Sequence, residues 1–428
     1  MLNPLSNAFG LDIGDRSFKL AQLRRARGKN NPYRLAAWSS VDVPEGIMEK
    51  GQVTDYERAS SLIMKLMKDV SGRLKGRAVV ACLPEARTFI KIIDGKEGQS
   101  ESQLKKAIKR EIELNIPLPP DEIYYDWQLI TPLGTEEEEG NKTKKGKKSK
   151  KEKKKEAGKD EKKEEDNPEE KGEDKPESGE EKDGPGEEKK PEESTEPVIK
   201  EGEGIKILLG AAPKKLVDDY TTILDMAGLA PIALEIEATA ISRCIAPAFE
   251  NLPEAIGILD IGATRSSLVV YDRGMIQMSI SIPISGIQIT ETIAKALSIG
   301  MDEAEILKQE CGLDANRCED RIWKIIAPLI DDMTQKIRNA LRFYKIGFPY
   351  GKKVEHIYLC GGGAHFREVD TVLSNQLAIK VERGDALTNV RRPIPRKFPH
   401  DSALSFATAI GLGIRAASEA GRRMSNFR

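Results

Sequence analysis

Apolar and polar positions repeat one pattern twice along the chain. The sequences FGLDIGDRSFKL and IGILDIGATRSSLVV each have an apolar run that ends in Asp-Ile-Gly, a small polar turn and a second apolar run. Two short apolar runs joined by a tight turn predict a β-hairpin. The two copies begin separate halves of the chain, so the sequence predicts the same acidic hairpin twice.

Helical periodicity alternates with strand-like runs in both halves. Apolar residues recur every three or four positions, as in 102–116, which stops at the proline run PLPP. The chain of 428 residues is also too long for one ordinary core. We therefore expect an α/β protein with at least two lobes. The predicted helices are 55–74, 102–116, 213–229, 286–299, 302–313, 321–346 and 401–418.

A charged block interrupts this pattern at residues 136–203. It is lysine-rich at first, then glutamate-rich with proline and glycine, and it contains almost nothing apolar. Such a composition cannot offset the entropy of ordering the backbone, so the block is predicted to be disordered. Strand-like runs flank it at 123–133 and 205–213. We expect a long loop between two neighbouring strands, because long insertions there cost little stability.

The composition argues against several classes of function. The net charge of −1 gives no support for a nucleic-acid partner. No apolar run reaches the roughly 20 residues of a membrane-spanning helix, and the N-terminal residues lack a secretory signal pattern. The five cysteines are odd in number and include no CxxC pair. We therefore expect neither a disulfide framework nor a zinc site, and a reducing cytoplasm fits best.

The first hairpin has the residues of a phosphate-binding turn. Gly14 has no Cβ atom, so backbone N–H groups in the turn can approach an anion closely. Lys19 lies two residues beyond Ser17 on the same strand face and can reach a phosphate. Asp12 would repel that phosphate unless a cation lies between them. A Mg²⁺ ion held through water suits such a carboxylate.

The second hairpin repeats this plan with Asp260, Gly262, Ala263 and Thr264, whose hydroxyl and amide groups can donate. One Asp-x-Gly turn alone is weak evidence, because such turns are common in plain β-structure. Two copies in separate halves predict that the two turns bind one phosphate group from opposite sides. Asp12 and Asp260 should then face each other across a shared crevice.

Two further motifs could hold the rest of a nucleotide. Gly361, Gly362 and Gly363 follow a strand, where a purine could pack against bare backbone. Glu305 and Lys308 lie on one helix face, suited to ribose hydroxyls and the base edge. Taken alone, each motif has a commoner structural role as a turn or as a solvent-facing ion pair.

The order of these motifs resembles the actin-like ATPase superfamily. At finer grain it resembles the PilM family of type IV pilus assembly, relatives of the cell-division protein FtsA. The resemblance covers nearly the whole chain outside the charged block. The segments that carry it are LDIGDRSFKL, EIELNIPLPPDEIYYDW, DDYTTILDMAGLAPIALEIEATAI, LDIGATRSSLVVY, ISGIQITETIA, DEAEILK, LCGGGAHFREV and FATAIGLGIR.

The resemblance implies two lobes, each with a five-stranded sheet, and ATP or ADP with Mg²⁺ in the cleft between them. The first lobe would be residues 1–85, completed by 231–254 and 396–428. The second lobe would be residues 255–395. An extra subdomain of the FtsA type, residues 86–230, would contain the charged block.

The resemblance also implies a partner. Members of the family bind the N-terminal cytoplasmic peptide of the inner-membrane protein PilN in a groove beside the extra subdomain. This contact connects them to PilO, PilP and the pilus motor, at the inner face of the cytoplasmic membrane. Nucleotide binding with weak or no ATPase activity is the expected chemistry, and self-association stays open.

Two positions bear on nucleotide affinity and hydrolysis. Relatives usually have serine or another small polar residue where this chain has Asp15. Two unit charges about 4 Å apart interact by about 4 kcal/mol at an effective dielectric constant near 20, so this carboxylate opposes phosphate binding unless Mg²⁺ or Arg16 neutralises it. We expect Asp15 to point to solvent, as exposed turn tips usually do. Glu237 is a candidate for positioning an attacking water, or a helix-start carboxylate that interacts with the helix dipole.

Two other functions compete with this interpretation. A sugar or acyl kinase of the same superfamily would need a substrate-side base and an acceptor pocket, and no motif for either is found. A membrane-tethered filament protein like FtsA would need an interfacial anchor. The tail 416–428 is short and barely amphipathic.

Overall fold

The computed structural model describes residues 7–26, 33–95, 100–130, 205–246, 252–349 and 351–419. The strands are β1 (Phe9–Ile13), β2 (Ser17–Arg25), β3 (Tyr33–Asp42), β4 (Met48–Glu49), β5 (Gln52–Val53), β6 (Ser71–Gly72), β7 (Ala78–Leu83), β8 (Phe89–Gly95), β9 (Ile123–Ile130), β10 (Ile205–Pro213), β11 (Ala230–Ile236), β12 (Ala255–Ile261), β13 (Ser266–Asp272), β14 (Met275–Ile282), β15 (Val354–Cys360) and β16 (Lys380–Arg383). The α-helices are α1 (Tyr56–Lys68), α2 (Glu101–Asn115), α3 (Lys214–Met226), α4 (Glu237–Ile245), α5 (Gly286–Leu297), α6 (Met301–Cys311), α7 (Arg321–Gly347), α8 (Val369–Leu377) and α9 (Ala407–Glu419).

Two sheets are built on the same plan. The first has the order β11-β7-β1-β2-β3-β6, and the second has the order β14-β13-β12-β15-β16. In each, the first hairpin strand pairs antiparallel with its hairpin partner and parallel with a later strand, β7 or β15. The repeated hairpin is therefore confirmed as the centre of both sheets. The first sheet has six strands rather than the expected five, because the two-residue strand β6 pairs with Ala37 and Trp38 in the middle of β3.

A smaller antiparallel sheet, β8-β10-β9, carries the attachment points of the charged block. Strands β9 and β10 pair from Pro213 opposite Ile123 to Lys206 opposite Ile130. This confirms that the runs flanking the block are neighbouring strands. The block itself, 136–203, lies outside the described residues. Helix α2 begins at a Ser100–Gln103 capping box and packs its apolar face on this sheet.

Helix α3 packs its buried face into the core around the first sheet. Its buried residues Tyr220, Ile223 and Leu224 share a core with Phe9 and Leu11 of β1. The boundary of the extra subdomain expected at residue 230 stays a prediction, and this shared core places α3 beside β1.

Helix α9 packs directly against β1 at a glycine. A Cβ atom at Gly10 would lie 2.4 Å from the carbonyl oxygen of Ala409, so only glycine fits there. Gly411 of α9 makes a similar close approach to Ala240 of α4. These contacts fix the first hairpin against α4, whose first residue is Glu237. In the described residues, no helix combines the length and apolar character needed to span a bilayer.

The expectation of no disulfide is wrong at one pair of cysteines. Cys311, the last residue of α6, is bonded to Cys318, with Cα atoms 5.9 Å apart. Gly312 has a positive φ of 62° and turns the chain at the end of the helix, which brings the two cysteines together. A spacing of seven residues without a CxxC pattern does not reveal this approach. Cys82, Cys244 and Cys360 are free and buried.

Candidate functional site

The turns of both acidic hairpins line one cleft. Its volume is about 410 Å³, and Asp12 and Asp260 face the same space from the two sheets. The crevice that the sequence predicted between these two aspartates is therefore present. The predicted site residues in its lining are Asp12, Gly14, Ser17, Lys19, Glu237, Asp260, Gly262, Ala263, Thr264, Gly361 and Gly362.

Both hairpins turn in the same way. The backbone N–H of Gly14 donates to the carbonyl of Ser17 at 3.2 Å, and that of Gly262 donates to the carbonyl of Arg265 at 2.9 Å. A Cβ atom at Gly262 would lie only 2.6 Å from this acceptor oxygen. Glycine therefore permits the tight turn that brings the backbone to the cleft.

A buried thiol contacts each hairpin aspartate from the neighbouring parallel strand. The Cys82 thiol donates to Asp12 Oδ1 with a sulfur–oxygen distance of 3.6 Å, and the Cys360 thiol donates to Asp260 Oδ1 at 3.7 Å. The internal repeat therefore extends to the thiol–aspartate pair. Sequence reasoning missed it, although both cysteines stand at or next to the end of a strand that leads to the cleft.

The two hairpins differ in their cation. Lys19 lies opposite Asp12 in the first hairpin, whereas Ser267 lies opposite Asp260 in the second. The Lys19 ammonium donates to Ser17 Oγ at 2.5 Å, beside the turn. The first hairpin thus supplies an ammonium next to a hydroxyl, and the second supplies hydroxyl groups together with the Arg265 guanidinium of its turn.

Buried carboxyl groups dominate the electrostatics of the cleft. Burial and the neighbouring Asp12 raise the pKa of Asp260 to about 6. Burial also raises the pKa of Asp12, against the lowering effect of Lys19. The pKa of Glu237 is raised well above its ordinary value by burial and then by Asp260. A cation bound here would lower all three pKa values, since it favours the charged carboxylates.

Glu85 is a cleft residue that sequence reasoning missed. It lies two residues after β7, is 7% exposed, and lines the same cavity. Both of its carboxyl oxygens are buried without a hydrogen-bond partner among the described residues. Burial and the charge of Asp260 raise its pKa to about 8, although Arg265 opposes this. Its position just after a buried strand, in the sequence LPEAR, was the available signal.

The expectation that Asp15 points to solvent is wrong. Its Oδ1 accepts a hydrogen bond from the backbone N–H of Gly51 at 2.7 Å, and its Oδ2 accepts one from the Thr264 hydroxyl at 2.6 Å. Arg16 does not neutralise it, because Arg16 donates to Glu45 at 3.3 Å. The β4–β5 turn and the second hairpin cover this turn tip, so Asp15 joins the two lobes.

The three consecutive glycines Gly361, Gly362 and Gly363 have different surroundings. A Cβ atom at Gly362 would meet nothing within 4 Å, so its backbone is open to the cleft. A Cβ atom at Gly363 would lie 2.2 Å from Ile261 Cγ2. Gly363 therefore packs against the second hairpin and is absent from the cleft lining. Gly361 has a positive φ of 76° and lies against Asp260, where a Cβ atom would be 2.1 Å from Oδ1.

Glu305 and Lys308 lie outside the lining of the cleft but are connected to it. The Lys308 ammonium donates to Glu305 Oε2 at 2.6 Å and to the carbonyl of Gly286 at 3.1 Å. The backbone N–H of Gly286 in turn donates to the carbonyl of Gly262 at 3.0 Å. The pair is therefore one residue removed from the second hairpin turn.

No ready metal cage accompanies these groups. Within the ranges that the structure describes, no cluster of three or more His, Cys, Asp or Glu side chains is arranged to hold a metal ion. Asp12 and Asp260 supply the hard oxygen ligands that a hydrated Mg²⁺ accepts, so they fit an ion held through water.

Comparison with known proteins agrees with this architecture. A sequence model of the family described as type IV pilus assembly protein PilM matches residues 10–144 and 193–417. A solved structure described as a PilM-PilN type IV pilus biogenesis complex has a TM-score of 0.69 at 23% identity, with 96% of this chain and 98% of that chain covered. That likeness shows a shared fold.

Two more distant structures are also similar over most of their length. One is the ethanolamine utilization protein EutJ from Carboxydothermus hydrogenoformans, with a TM-score of 0.46, 13% identity, and 97% and 92% of the two chains covered. The other is MreB5 of Spiroplasma citri bound to ADP, with a TM-score of 0.44, 14% identity, and 96% and 97% covered. The expected α/β actin-like fold is confirmed, and by the family match the chain belongs to the type IV pilus assembly protein PilM family.

Proposed function

We propose that the protein is a nucleotide-binding scaffold of type IV pilus assembly that binds ATP or ADP between its two acidic hairpins. The observation that carries this proposal is the pair of matching turns that face one cleft of about 410 Å³. Membership of the PilM family supports the assignment to pilus assembly.

The cleft residues can be assigned to different parts of the nucleotide. The turn amides, the hydroxyls of Ser17 and Thr264, and the ammonium of Lys19 are donors for phosphate oxygens. A Mg²⁺ ion held through water by Asp12 and Asp260 would neutralise phosphate charge. The residues proposed for the phosphates are Gly14, Ser17, Lys19, Gly262, Ala263 and Thr264. The residues proposed for the nucleoside are Glu305, Lys308, Gly361 and Gly362, and Gly363 supports the glycine turn.

Nucleotide would act by setting the angle between lobes rather than by fast turnover. Without a bound cation, burial and then Asp260 raise the pKa of Glu237, which disfavours the carboxylate form that would activate water. Ligands that bind one lobe arrangement better than another shift the population toward it. We therefore propose weak or no ATPase activity, with closure of the cleft as the functional output.

The lobes and the subdomain can be divided by their packing. The first lobe would contain 7–85, 214–254 and 396–419, and the second lobe 255–395. The extra subdomain would be the small sheet with α2, from residue 86 to Pro213. The shared core of α3 with β1 supports this division.

The partner would be the cytoplasmic N-terminal peptide of a PilN-like inner-membrane protein. Membership of the PilM family and the likeness to a solved PilM-PilN complex support this partner. A candidate docking place is the junction of β9 and α3, where Tyr124 is 47% exposed and the Lys214 ammonium lies 5.5 Å from its ring centroid. Such a contact would hold the protein at the inner face of the cytoplasmic membrane and connect it to the pilus motor.

Isothermal titration tests both halves of the proposal. We expect Mg·ATP to bind the wild type and Lys19→Ala to weaken it about tenfold or more, since a charged hydrogen bond contributes about 1.5–3 kcal/mol. Lys65→Ala, an exposed lysine on α1, is the matched control and should bind like wild type. Absence of saturable nucleotide binding would refute the nucleotide half.

The partner is tested with a synthetic peptide of the cytoplasmic N-terminus of the PilN-like protein. We expect its affinity to differ among the nucleotide-free, ADP-bound and ATP-bound protein, and to fall in Tyr124→Ala. Equal affinities in all three states would contradict nucleotide control of the groove.

A further inference from the structure

Asp15 occupies a place in the cleft that an anionic ligand would also seek. Its two carboxylate oxygens accept hydrogen bonds from opposite lobes, one from the backbone N–H of Gly51 and one from the hydroxyl of Thr264. A backbone amide and a hydroxyl that meet at one anion are the donors that phosphate oxygens commonly use.

We propose that Asp15 is a built-in phosphate surrogate, which fastens the two hairpin turns together without nucleotide and must release Gly51 and Thr264 before a nucleotide phosphate can take them. The inference rests on the proposed nucleotide function and adds an internal competitor to it. Asp15 would thereby set both the affinity of the cleft and the stability of its closed form.

The donor from the first lobe is held in place before any ligand arrives. The Tyr220 hydroxyl donates to the carbonyl of Gly51 at 3.2 Å, and Arg87 donates to the carbonyl of Lys50 at 2.7 Å. Gly51 has a positive φ of 75°, and a Cβ atom there would lie 2.6 Å from Pro84 Cγ. The β4–β5 turn is thus fixed on both sides, with the N–H of Gly51 directed at Asp15.

The second lobe contacts the same turn. Thr264 belongs to the tight turn closed by the hydrogen bond from Gly262 to Arg265. The Arg265 guanidinium lies beside Gly51, with Nη2 3.3 Å from the position a Cβ atom would take. Asp15 therefore bridges the two turns beside the Arg265 guanidinium. Loss of the Asp15 contact should loosen the cleft at these two turns first.

The negative charge of Asp15 makes it a competitor of phosphate as well as a bridge. Arg16, the adjacent cation, donates to Glu45 instead. A phosphate that approaches Thr264 would therefore meet an anion already bonded to its donor. Removal of the carboxylate should loosen the nucleotide-free cleft and, at the same time, tighten nucleotide binding. A bridge with a purely structural role would produce the first effect without the second.

The test uses the full chain with Asp15→Ser and Asp15→Asn, the second variant keeping the size of the side chain. Asp225→Asn is the matched control, because Asp225 is an exposed aspartate on α3 that does not line the cleft. Hydrogen exchange of peptides covering 48–53 and 262–267 is measured without nucleotide, and the Kd for Mg·ATP is measured by titration.

We expect both Asp15 variants to exchange about tenfold faster in these peptides and to bind Mg·ATP about tenfold more tightly than wild type, a change equal to about 1.4 kcal/mol. Asp225→Asn should change either quantity less than about twofold. If the wild type binds Mg·ATP and both Asp15 variants bind it with the same affinity, the role of Asp15 as a phosphate surrogate is refuted and the proposed function is not. No Mg·ATP binding by any of the proteins would overturn the proposed function and the surrogate with it. Unchanged exchange in 48–53 would refute the bridge itself.

Discussion

Glu85 allows a quantitative test of the electrostatics of the cleft. It is buried beside Asp260, and both of its carboxyl oxygens lack a hydrogen-bond partner among the described residues. Burial raises its pKa from 4.5 to about 8. Replacement of Glu85 by glutamine keeps the shape of the side chain and removes the titrating group.

The sign and the size of the effect follow from this pKa. A carboxyl group whose pKa is higher in the folded state binds its proton more tightly there, so its stabilising contribution is complete below pH 4.5 and is lost as the pH rises toward 8. Each pKa unit corresponds to about 1.4 kcal/mol, so the wild type loses about 3 kcal/mol between pH 4.5 and pH 7 through this group. Glu85→Gln does not titrate and loses nothing by this route.

The assay is urea unfolding followed by circular dichroism at several pH values between 4.5 and 8, without nucleotide or divalent cation. The free energy of unfolding of Glu85→Gln minus that of wild type should rise by about 3 kcal/mol from pH 4.5 to pH 7. Differences in packing shift this quantity equally at every pH and do not affect the rise. Glu113→Gln, an exposed glutamate on α2, is the control and should show no rise. Parallel stability curves for Glu85→Gln and wild type would refute a buried carboxyl at this position.

Two further predictions concern packing and cation binding. Gly10→Ala should lower the free energy of unfolding by about 2 kcal/mol or more, because the added methyl group would lie 2.4 Å from Ala409 O; Gly300→Ala, where nothing lies within 4 Å, is the control, and equal losses would contradict the close packing. Mg·ATP affinity should rise as the pH increases from 5 to 7, because the pKa of Asp260 is about 6 and cation binding requires its carboxylate. Titration across this range should show a flatter profile for Asp260→Asn, and identical profiles would exclude Asp260 from the cation site.

The repeated hairpins and most helices could be predicted from the sequence because their signals are local. The apolar run before Asp12 and the apolar run before Asp260 each specify a buried strand, and the glycine that follows specifies the turn. The strands on either side of the charged block were predictable for the same reason, since each has its own β-branched and aromatic pattern. A shared cleft for the two aspartates followed from the repetition itself.

The contacts that tune the cleft could not be predicted in this way. The orientation of Asp15 depends on the β4–β5 turn, which reaches it from 36 residues away, and on Thr264 in the other lobe. The burial of Glu85 depends on Asp260 and on the closed cleft rather than on its neighbours in sequence. Gly363 and the bond between Cys311 and Cys318 likewise depend on how close separate segments approach. Local periodicity carries no information about such distances.

The central claim is that the two acidic hairpins hold one nucleotide between them. A crystal structure with Mg²⁺ and a non-hydrolysable ATP analogue tests it most directly. The account predicts the phosphates between the turn 14–17 and the turn 262–265, with Mg²⁺ near Asp12 and Asp260 and with Thr264 released from Asp15. Nucleotide bound elsewhere, or a cleft still bridged by Asp15 at saturating nucleotide, would contradict it.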